Sequence, residues 1–125
     1  MNNKKRDPQD FLPVSPPVFH ILLAIGNRRL HGYAIMQEIE ERTNGKVTVL
    51  PGTLYSSIGR MLEDGLVDET TDRPNASADD ERRRYYRATR LGKAVARAEA
   101  ERMALLLHVA EDQKLFTGLS ARQAP

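Results

Sequence analysis

The sequence predicts a mainly α-helical fold with one small β-hairpin and a long C-terminal helix. Apolar residues recur at helical spacing in four separate stretches. Two strand-like segments rich in Val, Tyr and Arg flank a run of turn formers, and the last helical stretch is much the longest.

The first seventeen residues, MNNKKRDPQDFLPVSPP, carry four prolines and mixed charge without apolar periodicity, which reads as a flexible arm over residues 1–17. Val18, Ile21, Leu22 and Ile25 then follow the i, i+3, i+4, i+7 pattern of a helix entered after Pro16-Pro17 and stopped near Gly26-Asn27. His31-Gly32-Tyr33 opens a second helix. Its buried stripe is Ile35, Met36 and Ile39, its wet face Gln37, Glu38, Glu40 and Glu41, and its terminator Asn44-Gly45. Lys46 to Leu50 alternates, with Val47 and Val49 on one side, and predicts a very short strand.

Pro51 suits the first turn of a third helix, whose apolar face is Leu54, Ile58, Met61 and Leu62, and Gly65 breaks it. Leu66 to Thr70 and Arg82 to Ala88 read as strands around the loop TDRPNASADDE, giving a hairpin. Thr89 is positioned as the N-cap of a final helix on which Leu91, Val95, Ala98, Leu105 and Val109 recur at near-heptad spacing, with Arg102 as the polar exception. Residues 117–125 read as a tail. Three helices, a hairpin and a long helix make a winged helix-turn-helix over 18–88 followed by a dimerisation helix over 89–116. A final helix of roughly 27 residues would be about 40 Å long, more than so small a domain can cover, so its stripe calls for a second copy.

Composition removes several chemistries. With 125 residues and no cysteine, thiol catalysis, Cys-based zinc sites and disulfide frameworks are excluded. The apolar run Ile21 to Ile25 is too short to cross a bilayer, so no membrane association is expected and a cytoplasmic location is. His20, His31 and His108 fall on separate helices, and no carboxylate stands at ligand spacing from His31, so no metal and no cofactor are expected. His31 instead suits a cap or a structural position, with Gly32 allowing close packing and Tyr33 read as core rather than as a phosphate donor. No glycine phosphate loop, nucleophile elbow or paired carboxylate cleft is present, so no catalytic residue is assigned and an enzyme is not expected.

The net charge of +2 hides its distribution. Arg82, Arg83, Arg84, Arg87, Arg90, Lys93 and Arg97 fall within sixteen residues that hold no acid, while Glu38, Glu40, Glu41 and Asp79 to Glu81 collect elsewhere. Such a strip suits a phosphate contact surface, although the same arginines could pair with Asp68 and with Asp79 to Glu81. On the third helix the face opposite Leu54 carries Ser56, Gly59, Arg60 and Glu63, flanked by Thr53 and Tyr55. Small residues, hydroxyls and an arginine are what a groove-reading helix needs, and an ordinary solvated face can show them too. Two functions stay open: a DNA-binding regulator, and a winged-helix interaction module whose basic strip binds an acidic protein partner.

The motifs together resemble the PadR-like transcriptional regulators: His31-Gly32-Tyr33, Pro51-Gly52-Thr53-Leu54-Tyr55, Leu62-Glu63-Asp64-Gly65-Leu66, and Arg83-Arg84-Tyr85-Tyr86 followed by Thr89-Arg90-Leu91-Gly92. The match runs in order over about residues 18 to 115. The resemblance implies a homodimeric repressor that binds double-stranded DNA at a pseudo-palindromic operator and is released by a small aromatic or drug-like effector. It also implies that Thr53, Tyr55, Ser56 and Arg60 contact DNA from the third helix and that Arg82, Arg83 and Arg84 approach phosphates from the wing. The chain has no tryptophan to stack a flat ligand as some members do, and it ends soon after one long helix, as in the short-tailed branch. For an effector, the apolar crevice between final helices and the first helix is the best place, with Phe19, Met103, Leu106 and Phe116 as lining, although ordinary core or dimer packing accounts for the same four residues.

Overall fold

A computed structural model describes residues 7–70 and 84–118. After a 3-10 turn at Pro8–Phe11 come α1 (Pro16–Ile25), β1 (Leu30–His31), α2 (Gly32–Arg42), α3 (Pro51–Glu63), β2 (Val67–Thr70), β3 (Tyr85–Ala88) and α4 (Arg90–Asp112). This is the winged helix-turn-helix order with its long final helix.

Local chemistry sets most boundaries. Two prolines open α1, and Gly26, at φ 56°, closes it by returning its N–H to Leu22 O. The α2 cap is His31, whose Nδ1 accepts the Ala34 N–H at 3.2 Å. Gly65, at φ 77°, turns the chain from α3 into β2, a conformation that favours glycine. Thr89 caps α4 as expected: its Oγ1 accepts the Gly92 N–H at 2.9 Å and donates to Gly65 O at 2.6 Å.

The three helices pack around Ile21, Ile25, Ile35, Leu54 and Met61, closed by Val67 from the hairpin and Val95 from α4. The sheet has the order β1-β3-β2, all antiparallel, with Leu30 opposite Tyr86 on one side and Glu69 opposite Tyr86 on the other.

Four expectations change. Lys46 to Leu50 forms no strand: Val49 is buried and Val47 half-buried as the alternation required, but the Val47 N–H bonds to Thr43 Oγ1 at 3.0 Å. The edge of β3 is taken by Leu30–His31 instead. The arm over 1–17 is not detached from residue 7 onward, because the 3-10 turn packs on α4 and Val14 is buried. Its first six residues lie outside the described part. The final helix spans 23 residues rather than 27, about 35 Å, and the chain leaves it through Gln113 and Lys114, the latter at φ 62°. Lastly, Tyr33 is not core. It stands 60% exposed, because the α2 face that carries Ile35 and Ile39 turns it outward.

Candidate nucleic-acid interface

The α3 face opposite Leu54, Ile58 and Met61 is open. Thr53, Tyr55, Ser56, Gly59 and Arg60 are exposed on it, and added Cβ atoms at Gly52 and Gly59 would meet nothing within 4 Å. Ser56 donates its hydroxyl to Thr53 O at 3.2 Å, and its exposed oxygen can still accept. Arg60 stands apart from Thr53, Tyr55 and Ser56. It lies in the last turn of α3 and lines a crevice of about 160 Å³ with Phe11, Val14, Ser15 and Asp64.

At the other end of α3, Tyr55 is half exposed and lays its ring against Gly32 at the start of α2. Its phenol also sits close enough to Tyr86 to act on it. Burial first, then the Glu69 carboxylate and Tyr55, holds the Tyr86 phenol above its usual range. Tyr33, next to Gly32 in the chain, is 60% exposed, and Leu50, at the N-cap of α3, is 65% exposed. Sequence reasoning weighed Tyr33 as a phosphate donor but read it as core, and it gave Leu50 no role; the orientations of α2 and α3 turn both outward.

The hairpin is less positive than its sequence. Arg84 is hydrogen-bonded to Glu69 across the strands, which raises its already high pKa, and Arg87 Nη2 lies 4.0 Å from Asp68 Oδ2. Two of the seven arginines and lysines are thus opposed by acids of β2. The strip also divides: Lys93 and Arg97 line a crevice of about 200 Å³ against Leu22, Leu23 and Ala96, on the α1 side of α4. Arg82 and Arg83 lie outside the described residues.

The hairpin is anchored to the helices by side chains as well as strands. His31 and Tyr85, paired across β1 and β3, meet edge-to-face with ring centroids 5.4 Å apart. Among the described residues no group of three or more histidines and carboxylates could hold a metal, and no helix is long and apolar enough to cross a membrane. The four residues expected to line an effector site are spread over three parts of the chain: Phe19 in the core on α1, Met103 and Leu106 open on α4, and Phe116 beyond its end.

The profile of the transcriptional regulator PadR-like family matches residues 21–98, more than half of the chain. The chain belongs to this family. A PadR family transcription regulator from Clostridium difficile superposes with a TM-score of 0.65 at 20% identity, over 78% of this chain and 97% of the other. A transcriptional regulator from Clostridium thermocellum does so with a TM-score of 0.65 at 24% identity, over 77% and 87%. Bacillus subtilis PadR, solved in complex with operator DNA, gives a TM-score of 0.57 at 17% identity over 69% of this chain and 47% of the other. At these identities the structures share the fold with this PadR-like chain. An uncharacterized protein of Lysinibacillus sphaericus is 35% identical over 74 residues, covering 59% of this chain, which spans 65% of that relative's length.

Proposed function

We propose that this PadR-like chain is a homodimeric repressor that binds double-stranded DNA at a pseudo-palindromic operator. The observation that carries the reading is the open α3 face, where Thr53, Tyr55 and Ser56 are exposed, with a hairpin packed on α3 that carries Arg84 against Glu69 and Arg87 near Asp68. Hydroxyls and a phenol at the helix's first turns reach base edges and phosphates, while the wing arginines meet the flanking backbone. Arg82 and Arg83 extend that cationic wing in sequence. Arg60, at the far end of α3, would read a guanine at the edge of the groove contact or meet a phosphate.

The outer half of α4 supports the dimer. At about 100° per residue, Leu105, Leu106 and Val109 continue the face that Val95 and Ala98 bury, yet all three are exposed in the single chain. Two copies joined there present two α3 helices about one DNA turn apart or a multiple of it. A small aromatic or drug-like effector would enter the crevice that such a pair forms, against Phe19, Met103, Leu106 and Phe116.

Fluorescence anisotropy against the DNA upstream of the chain's own gene tests the reading. It predicts one site bound at least about a thousandfold more tightly than random duplex. Equal affinity for every sequence at moderate salt would remove the regulator. Arg60→Ala should cost about 1–3 kcal/mol and relax base preference if it reads guanine, and weaken all sequences alike if it meets a phosphate.

A further inference from the structure

We propose that Gly32 is a positioning residue for Tyr55: its bare Cα is the seat on which the Tyr55 ring rests, and it thereby sets how the tyrosine is presented to DNA. The inference deepens the DNA-binding reading and rests on it.

A Cβ added at residue 32 would lie 2.3 Å from Tyr55 Oη, 2.8 Å from Cζ and 3.0 Å from Cε1. No real pair of atoms of this kind approaches so closely. The backbone does not ask for glycine here, since the positive-φ glycines are Gly26, Gly45 and Gly65. The three atoms that a Cβ there would meet first all belong to the tyrosine. Gly32 is also the first residue of α2, so neither helix propensity nor a turn accounts for it.

The seat is rigid and the ring is not. Leu30 and His31, immediately before Gly32, pair with Tyr86 and Tyr85 of the wing. His31 further caps α2 through Ala34 N and packs edge-to-face on Tyr85. Tyr55, by contrast, is half exposed at the end of a flexible side chain on α3. When the two collide, the ring must give, swinging toward solvent while the backbone of α2 stays. The hydroxyl end of Tyr55 therefore registers the start of α2, and its phenol also acts electrostatically on Tyr86 of β3. Through this contact the presentation of the Tyr55 ring depends on the absence of a side chain at residue 32.

The test compares Gly32→Ala in the native background and in a Tyr55→Ala background, using a duplex selected by the native protein from a randomised pool. Gly32→Ala should weaken specific binding at least tenfold, with a melting temperature close to native because an exposed side chain absorbs the clash. In the Tyr55→Ala background the same change should have less than a twofold effect. Equal losses in both backgrounds would overturn the proposal, assigning Gly32 a direct role such as close backbone approach to phosphate. A native-like affinity for Gly32→Ala, with Tyr55→Ala weakened, would also overturn it while leaving Tyr55 as a DNA contact. If Tyr55→Ala binds normally, the DNA reading of Tyr55 fails by itself. The seat is then judged by nuclear Overhauser contacts between the Gly32 Hα and Tyr55 Hε protons, which must be present in the native protein, and whose absence overturns it.

Discussion

Arg102 grips Glu99 through two parallel hydrogen bonds, Nε to Oε1 at 2.9 Å and Nη2 to Oε2 at 2.7 Å, and the same Oε1 accepts the Val14 N–H at 3.3 Å. Glu99 is fully buried, so its charge exists there only because these donors replace water. The carboxylate thereby ties the N-terminal segment to α4 across 85 positions of sequence. The arginine that interrupted the apolar stripe of the last helix is the partner this buried acid requires.

Glu99→Ala should therefore cost about 1–3 kcal/mol of stability, chiefly from the Val14 N–H left buried without an acceptor, and should loosen residues 7–15. Hydrogen exchange at Val14 checks the local part and denaturant unfolding the global one. Native-like protection of Val14 in the variant would show that another group holds the segment.

The same carboxyl predicts a pH dependence. Its bond to Arg102 is the largest influence and holds its pKa below the usual glutamate value of 4.5, with Val14 acting the same way and burial opposing. A group whose pKa is lower folded than unfolded adds stability above the unfolded value and loses it as pH falls through the folded one. Stability should thus decline below about pH 4.5, and thermal unfolding of Glu99→Gln should show a shallower decline over that window.

Glu69→Gln should strengthen DNA binding. It releases Arg84, whose partner it is across the wing, and adds one cation free to meet a phosphate. Affinity for random and specific duplex should rise together, and the slope of log affinity against log salt should steepen by up to about 0.9. The melting temperature should hardly move, since both side chains are solvent-accessible and exposed pairs contribute little. Unchanged affinity and slope would place Arg84 away from DNA.

Two glycines should respond in opposite ways. A Cβ at Gly92 would lie 2.0 Å from the Leu66 carbonyl oxygen, a backbone atom that cannot swing aside, so Gly92→Ala should destabilise by about 1–3 kcal/mol or more. Gly59 sits inside α3 with open space around it, and Gly59→Ala should stabilise by about 0.5–1 kcal/mol through helix propensity. If the α3 face enters a groove closely, Gly59→Ala should still bind DNA less tightly. Calorimetry and anisotropy on the same samples separate the two effects.

Leu106→Glu tests the dimer. The residue is 53% exposed in the single chain, so the fold should survive while sedimentation shifts from two copies toward one. A mass unchanged by the substitution would move the interface elsewhere.

The order of elements was legible because local signals carry it: proline pairs and glycines at helix ends, the Thr89 cap, and helical spacing of Ile21, Leu22, Ile25 and Ile35. The open face of α3 followed from the same periodicity. What could not be read was anything settled by a partner distant in sequence. Lys46 to Leu50 has strand-like alternation, but whether it becomes a strand depended on which segment reached β3, and Leu30–His31 did. Tyr33 looks like core by composition, and the packing of α2 turned it to solvent. Asp68 was already in view as a partner for the wing arginines, but Glu69 comes to face Arg84 only once the hairpin has paired. Neighbouring residues were enough to say which segments form helices and where the first three stop, since those are local contests, although the last helix ends sooner than its apolar spacing implied. Folding in three dimensions settled that Glu99 is buried and meets Val14, that Gly32 receives Tyr55, and that Arg84 meets Glu69, because burial and close approach between distant segments depend on distances that no spacing along the chain encodes.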